Sequence, residues 1–226
     1  TNLEALTNLS ELQTVWAWAN LIKDLSALTN HRNLDELNVR KNPLLPENMP
    51  VIALIEGHNP EIDLAYDPIA PYPDYAGGSG TAEDPFQIAD NETLIAMSKA
   101  TYDYDKHFAL ISDIDLIGTV IETALIAGHT GNSPLWYEGV MFGGSFDGQG
   151  HTIRNLLVEV DDGDSTDDYL GLFGFADTGS LIQNVSLENV VISCAGDSPH
   201  AVGTLAGLAQ GSVEGCASSG NIVCSA

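Results

Sequence analysis

Basic residues are scarce in this chain of 226 residues. Seven Lys and Arg stand against 32 Asp and Glu, which gives a formal net charge of -25 at pH 7. Each phosphate contact with a nucleic acid or an anionic membrane needs a cationic side chain, and no Lys or Arg follows Arg154. The composition therefore excludes nucleic acid as a partner and leaves a cation, a neutral sugar or another protein.

Cysteine and long apolar runs are also rare. The three Cys all lie after residue 193 and none forms a Cys-x-x-Cys pair, so neither a small disulfide-stapled domain nor a Cys-based metal site is indicated. No stretch approaches about 20 consecutive apolar residues, and we expect no membrane insertion. Hydrophobic residues still make up 44% of the chain, which is enough for it to fold around a core.

The first part of the sequence repeats with an offset of 22 residues. Most apolar positions align with apolar positions at this offset, and the exception is His31, which aligns with Leu9. Apolar positions coincide in this way: Leu3 on Leu25, Leu6 on Leu28, Leu12 on Leu34, Val15 on Leu37, Ala17 on Val39 and Ile22 on Leu44. Asn20 falls on Asn42. The pattern L-x-x-L-x-L-x-x-N is that of leucine-rich repeats, in which each turn buries its apolar ladder against the next.

The segment NPLLPENMPVIALIEGHNPEIDLAYDP, which starts at Asn42, resembles the C-terminal end of bacterial leucine-rich-repeat arrays. The resemblance implies a terminal helix that closes the core. We predict this helix from about Glu47 to Glu56 and a strand near Ile62 to Tyr66, so that a first domain covers residues 1–66. Residues 67–80 are rich in Pro and Gly and predict a linker, stiff in its Pro half and flexible in its Gly half.

From Thr81 onward, a second ladder with a longer step is indicated. One four-residue group, Ile153-Arg154-Asn155-Leu156, recurs as Ile182-Gln183-Asn184-Val185 after 29 residues and as Val213-Glu214-Gly215-Cys216 after a further 31. A second group, Gly171-Leu172-Phe173-Gly174, recurs as Thr204-Leu205-Ala206-Gly207 after 33 residues. Short β-rich runs alternate with Gly turns. Such a pattern predicts stacked parallel strands whose inward residues form apolar columns.

The segments GSFDGQGHTIRNL, YLGLFGF and GSLIQNVSLENV resemble the GLUG-motif repeats of bacterial surface and secreted proteins, including parts of IgA-cleaving metallopeptidases. The resemblance implies a right-handed parallel β-helix over residues 81–226, capped around Pro85 to Ser98. The fold prediction is thus mainly β: a leucine-rich repeat end, then a β-helix. We interpret the chain as a piece of a longer protein, truncated at both ends. The zinc motif His-Glu-x-x-His is absent, so peptidase activity is not carried over.

Trp16 and Trp18 are the best binding candidates in the sequence. Val15 and Ala17 point to the core of the leucine-rich part, which places Trp16 and Trp18 on its concave face. One repeat later, Asn38 and Arg40 take the matching outward positions. Exposed rings beside polar groups are typical of a sugar or peptide site. The alternative is that Trp18 only packs over the Arg40 guanidinium as a cation–π pair.

An acidic loop is the candidate metal site. Asp161, Asp162, Asp164, Asp167 and Asp168 place five carboxylates in eight residues. Calcium takes six to eight oxygen ligands, and such a loop supplies several. The loop is not an EF-hand, and a solvated turn extended by charge repulsion is the alternative. No other cofactor is predicted.

Two further motifs invite a catalytic interpretation. Asp113 and Asp115 lie on one face of a predicted strand, as in a glycosidase pair, or are simply the outward polar residues of that strand. The Gly-rich segment 147–151 lacks the residues that a phosphate loop requires, and it predicts a tight turn.

We predict a non-catalytic extracellular or cell-surface module that binds a glycan or a protein. The extracellular location follows from the family resemblance alone. A carbohydrate-active β-helix enzyme, a non-catalytic region of a surface peptidase and a structural spacer are the alternatives. Cys194 and Cys224 lie 30 residues apart and can be neighbours on adjacent strands, but sequence does not decide whether they are bonded. Cys216 is predicted to be a small core residue.

Overall fold

The computed structural model describes residues 2–130, 137–160, 169–195 and 201–225, and the chain divides into two compact units. Unit 1 consists of Thr1–Tyr72 with Ala100–Tyr102, and unit 2 of Pro73–Lys99 with Asp103–Ala226. Strands outnumber helices in the chain as a whole, and every pairing between the described strands is parallel. The prediction of a mainly β chain with parallel pairing is therefore confirmed.

Unit 1 is built on one sheet of three short strands. They are β1 (Thr14–Trp16), β2 (Glu36–Asn38) and β3 (Asp63–Ala65), in the order β1-β2-β3. Two 3-10 helices (Glu4–Leu6 and Ser26–Leu28) and the helix α1 (Asn48–His58) complete the unit. The three-residue strands recur with one helical or turn segment between them, so each connection crosses back to start the next parallel strand.

The core of unit 1 follows from the register of this sheet. Val15 pairs with Leu37, as the 22-residue offset predicts, and Leu37 pairs with Leu64. Val15 and Leu37 are buried, together with Ile52 and Ile55 on the inner side of α1. The helix thus covers apolar side chains that the sheet leaves open, and it begins one residue later and ends two residues later than predicted.

Buried amides complete the turns of unit 1. Asn42 Oδ1 accepts from the backbone N–H groups of Asn20 and Ile22, while Asn48 Oδ1 accepts from that of Leu25. An amide has both donors and acceptors, so one side chain satisfies several backbone groups where the chain leaves the sheet.

The polar interruption at His31 has a local cause. The ring is only 3% exposed, and its Nε2–H donates to the Leu6 carbonyl at 3.0 Å. A hydrogen bond to the preceding repeat thereby replaces the apolar contact that a leucine would make.

Unit 2 contains fifteen described strands and one α-helix (α2). The strands are β4 (Phe86–Ile88), β5 (His107–Leu110), β6 (Ile114–Asp115), β7 (Val120–Ile121), β8 (Ser145–Asp147), β9 (Thr152–Arg154), β10 (Leu157–Val160), β11 (Tyr169–Leu170), β12 (Phe173–Ala176), β13 (Leu181–Gln183), β14 (Ser186–Ala195), β15 (Ala201–Val202), β16 (Ala206–Ala209), β17 (Ser212–Glu214) and β18 (Ala217–Ser225). The helix α2 spans Asn91–Lys99. A 3-10 helix, Thr101–Asp103, follows it at the boundary of the two units in the sequence.

These strands form two larger sheets and two strand pairs. One sheet has the order β17-β13-β8-β5-β4, and the other β6-β9-β14-β10-β7 with β18 paired to β14. The strands β11 and β15 pair with each other, as do β12 and β16. Apolar residues from these strands fill one continuous core, in which the rings of Phe108, Phe146 and Phe173 are fully buried.

The predicted 29-residue step is wrong for one pair of residues. Ile153 pairs with Ile114 and Leu187, whereas Ile182 pairs with Phe146 and Val213 in the other sheet. The 31-residue step from Ile182 to Val213 is correct. The two similar motifs therefore lie in different sheets. They are alike in sequence because each is a strand that ends in an Asn-containing turn.

The 33-residue step is correct. Phe173 pairs with Ala206 in neighbouring parallel strands. The degenerate second copy of the Gly-Leu-Phe-Gly motif thus occupies the position that the alignment assigns to it.

The helix α2 closes one end of the unit 2 core. Leu94 and Met97 on its inner side are fully buried. Asp90 caps its start: Oδ1 accepts from the Thr93 hydroxyl at 2.6 Å and from the Thr93 backbone N–H at 2.7 Å. These bonds hold the pKa of Asp90 below its ordinary value and satisfy a backbone donor that the helix leaves open.

The Gly half of the predicted linker is folded. The Ala76 N–H donates to the Gln87 carbonyl at 3.0 Å, and the Gln87 N–H donates to that of Gly77 at 2.9 Å. Gly78 has a φ of 85°, and a Cβ atom there would lie 1.9 Å from the carbonyl oxygen of Pro85. Glycine is required at this position, so its presence reflects close packing against β4 instead of flexibility.

Candidate functional site

Two tryptophans project from the sheet of unit 1. Val15 is buried, whereas Trp16 is 70% and Trp18 is 46% exposed. Alternation along an extended strand explains this arrangement, because neighbouring side chains point to opposite faces. The exposure predicted for both rings is observed.

Polar groups from the second strand lie beside these rings. Trp16 pairs with Asn38, and the Ala19 N–H donates to the Arg40 carbonyl at 2.9 Å, which continues the ladder so that Trp18 and Arg40 are also neighbours. Arg40 is exposed. The outward surface formed by Trp16, Trp18, Asn38 and Arg40 is called the Trp face below.

The cation that lies over Trp18 is Lys41. Its Nζ atom is 5.5 Å from the Trp18 ring centroid, within cation–π range. The alternative in which Arg40 packs over this ring is thus replaced by a contact from the next residue. Lys41 has a φ of 59°, which turns the chain sharply after Arg40. Its backbone N–H donates to Asp67 Oδ2.

The frame beneath the Trp face is held by Asn42. Its Nδ2 group donates to the carbonyls of Ala17 at 2.7 Å, Val39 at 3.0 Å and Arg40 at 3.2 Å. Two of these carbonyls belong to residues that adjoin Trp16, Trp18 or Lys41. The rings are thus mounted on backbone fixed by a buried side chain, which favours a preformed binding surface.

A separate depression lies near the start of the strands of unit 1. It has a volume of about 470 Å³, and Gln13, Arg32, Asp35, His58 and Glu61 are among its lining residues. Gln13 and Asp35 immediately precede β1 and β2. The lining is mostly polar and carries both signs of charge.

Asp113, just before β6, and Asp115, within it, are hydrogen-bond acceptors. Asp113 receives the Thr152 N–H at 3.0 Å and the Arg154 guanidinium at 3.0 Å, and it lies 3.3 Å from His151 Nδ1. The Thr152 bond is the main reason that the pKa of Asp113 lies below its ordinary value. The Asn155 amide likewise lowers the pKa of Asp115. Both shifts favour the ionised carboxylates, whereas the general acid of a glycosidase needs a carboxyl group with a raised pKa.

The structure brings together one polar pair that sequence reasoning missed. His107 Nδ1 lies 2.6 Å from Ser145 Oγ on neighbouring strands β5 and β8. A Ser–His contact is the start of a nucleophilic dyad, but no carboxylate in the described part of the chain bonds to the other ring nitrogen. The two residues are 38 positions apart, so only the register of the strands reveals the contact.

The predicted turn at residues 147–151 is confirmed. It joins β8 to β9, and Gly150 has a φ of 81°. Asp147 Oδ1 accepts from the Gln149 N–H at 2.8 Å inside this turn. The motif therefore closes a strand connection.

The acidic loop with Asp161, Asp162, Asp164, Asp167 and Asp168 lies outside the described residues, and calcium binding there stays a prediction. Within the described ranges, no group of three or more His, Cys, Asp or Glu is placed to hold a metal ion.

The cysteines adopt two different states. Cys194 and Cys224 are paired in register on β14 and β18 and form a disulfide, with their Cα atoms 4.5 Å apart. Cys216 is a free thiol, half-buried against the core of unit 2. The sequence did not decide whether Cys194 and Cys224 are bonded. The parallel register of β14 and β18 brings them directly opposite each other.

Comparisons with known proteins give two partial matches. The chain is 31% identical over 134 residues to Halomucin of Haloquadratum walsbyi, a match that covers 59% of this chain and 1% of Halomucin. It is 32% identical over 142 residues to a protein of Evansella cellulosilytica named as a Gly-rich membrane protein, covering 62% of this chain and 15% of that protein. The chain thus spans a small part of both relatives. No protein-family model and no solved structure matches it.

One relative carries "membrane protein" in its name. Neither α1 nor α2, the two α-helices of the described ranges, has the length and apolar character needed to cross a bilayer.

Proposed function

We propose that this chain is a non-catalytic binding module of a larger exported protein, and that its ligand is a glycan which contacts the Trp face. The exposure of Trp16 and Trp18 side by side on a fixed sheet is the observation that carries this proposal. An exposed indole leaves apolar area in water that a flat sugar surface can cover, and adjacent polar groups then orient the ligand.

The test is retention on a glycan array. Replacing Trp16 and Trp18 together by Ala should reduce retention at least tenfold, since Trp anchors dominate the binding energy of such surfaces. Leu54→Ala is the matched control, because Leu54 is 51% exposed on α1 and belongs to the same unit. Retention that survives the double substitution would reject the Trp face, and absence of retention by the unaltered protein would favour the spacer alternative.

We also propose that unit 1 is the C-terminal end of a leucine-rich repeat array and that unit 2 is a right-handed parallel β-helix of the GLUG type. The in-register parallel pairing of Val15 with Leu37 and of Ile182 with Val213 supports stacked repeats. An experimental structure tests the handedness and the path of the chain between the sheets.

An extracellular or cell-surface location is part of the same proposal. The disulfide between Cys194 and Cys224 supports it, because such bonds persist mainly in oxidising compartments. One of the two relatives is named as a membrane protein. Protease accessibility on intact cells that express the full-length protein tests this location; protection from protease would reject it.

A further inference from the structure

The cations of this chain are few, and their positions are informative. Of the seven Lys and Arg, Lys106 pairs with Asp105 at 3.3 Å, Arg154 pairs with Asp113 at 3.0 Å, and Lys23 donates to a backbone carbonyl. Arg40 and Lys41 are consecutive, and both adjoin Trp18. In a chain with 32 acidic residues, two of the few positive charges thus lie at the exposed rings.

The guanidinium group of Arg40 is available to a ligand. Arg40 is exposed, and its side chain pairs with no residue in the four described ranges. The carboxylate of Asp67, close to Arg40 in the structure, already accepts a hydrogen bond from the Lys41 backbone N–H. A carboxylate that arrives with a ligand would therefore meet a guanidinium that no internal acid neutralises, and bidentate pairing of these two groups is strong.

Asn38 adds a second polar contact to the same surface. Its Oδ1 atom accepts from the Arg40 N–H at 3.3 Å. This bond directs the amide, and the Nδ2 donor has no partner among the residues that the structure describes. A sugar hydroxyl next to the rings can accept from this group.

Charge changes along the strands of unit 1. Glu36 and Asp63 lie at the start of β2 and β3, whereas Arg40 and Lys41 follow the end of β2. Trp16 lies between these two ends, and Trp18 lies at the cationic end. At physiological ionic strength, charges more than about 8 Å apart are largely screened, so the local cations and not the net charge of -25 decide which ligand fits at the Arg40 end.

We propose that the ligand of the Trp face is an anionic polysaccharide, whose sugar rings stack on Trp16 and Trp18 while a uronate carboxylate pairs with Arg40. This inference rests on the proposed glycan-binding function and replaces the neutral sugar, which was one of the three partners that the composition left open. The chemical requirement is a carboxylate carried on a sugar that is next to the stacked one.

The experiment compares polygalacturonate with its fully methyl-esterified form, which has the same backbone without the negative charges. Binding is measured by calorimetry at 0.15 M salt for the unaltered protein, Arg40→Gln and Arg32→Gln. Arg32 is the matched control, because it is an exposed Arg of the same unit that lines the depression near the start of the strands.

The unaltered protein should bind polygalacturonate about five- to tenfold more tightly than the ester, the effect of one charge-assisted contact. Arg40→Gln should lower affinity for polygalacturonate to about the level of the ester and so abolish this preference, while Arg32→Gln should keep it. Equal binding of both polymers, or an equal loss of preference in both variants, overturns the uronate inference but leaves glycan binding intact. Failure to bind either polymer, together with no retention on the glycan array, overturns both proposals.

Discussion

Substitution of Asn42 by Ala is predicted to destabilise unit 1 by about 3 kcal/mol. The buried amide accepts from two backbone N–H groups and donates to three carbonyls, and the partners at Ile22 and Val39 are themselves buried. A buried backbone group left without a partner costs about 1–3 kcal/mol. Two such groups set the size of the effect, and the partly exposed ones can be hydrated.

Asn20 provides the matched control, since it occupies the same position one repeat earlier. Its side chain donates to the carbonyls of Ala17 and Trp18 at 3.3 and 2.9 Å, but it is exposed. Water replaces these bonds when the amide is removed, so Asn20→Ala should cost less than about 1 kcal/mol. The two variants thus separate the effect of burial from that of residue type.

The assay is urea unfolding followed by tryptophan fluorescence, because two of the three Trp lie in unit 1. With a slope of about 1.5 kcal/mol/M, the midpoint of Asn42→Ala should fall by roughly 2 M. If Asn42→Ala does not fold while Asn20→Ala does, the same conclusion follows with a larger cost. The reasoning is refuted if Asn42→Ala costs no more than Asn20→Ala.

Three further predictions concern unit 2. Alkylation of the unreduced protein should label Cys216 alone; three labels by mass spectrometry would contradict the bond. Cys194→Ser should lower the free energy of unfolding by about 3–4 kcal/mol, because the unfolded chain regains the entropy of a loop with a sequence separation of 30. Millimolar calcium should raise the melting temperature if residues 161–168 bind it, and chelator should reverse the shift; an unchanged temperature would reject the site. Because the folded pKa values of Asp113 and Asp115 lie below the ordinary 3.8, their stabilisation is present above about pH 4 and is lost as pH falls through the lowered values. Asp113→Asn should flatten this acid-induced loss in a melting series; an unchanged series would contradict it.

Sequence patterns predicted unit 1 well because its inward positions are nearly all aliphatic. The alignment of Val15 with Leu37 depends only on side-chain type and spacing, and the observed register follows it. His31 broke the pattern because a hydrogen bond to the Leu6 carbonyl replaces an apolar contact. Hydrophobicity alone cannot anticipate this exchange.

The error in unit 2 has a different origin. Asn155 and Asn184 both have positive φ values, 60° and 53°, and both follow a short strand. The sequences of these two turns are nearly the same, although the turns follow β9 and β13, which lie in different sheets. An alignment by motif joined Ile153 to Ile182, because local turn chemistry does not record which sheet a strand enters.

The site was predicted in part. The outward placement of Trp16 and Trp18 follows from strand alternation, which sequence displays directly. The contact of Lys41 with the Trp18 ring depends on a left-handed backbone conformation at Lys41, and non-glycine residues adopt it too rarely for spacing to indicate it.

The bond between Cys194 and Cys224 has a mechanical consequence. It links β14 to β18, which lie side by side in parallel, so a pulling force on the chain cannot separate these two strands at that point. The segment between the cysteines, with a contour length of roughly 100 Å when extended, is thereby shielded from tension. Stretching by atomic force microscopy should lengthen by this amount only after the bond is reduced.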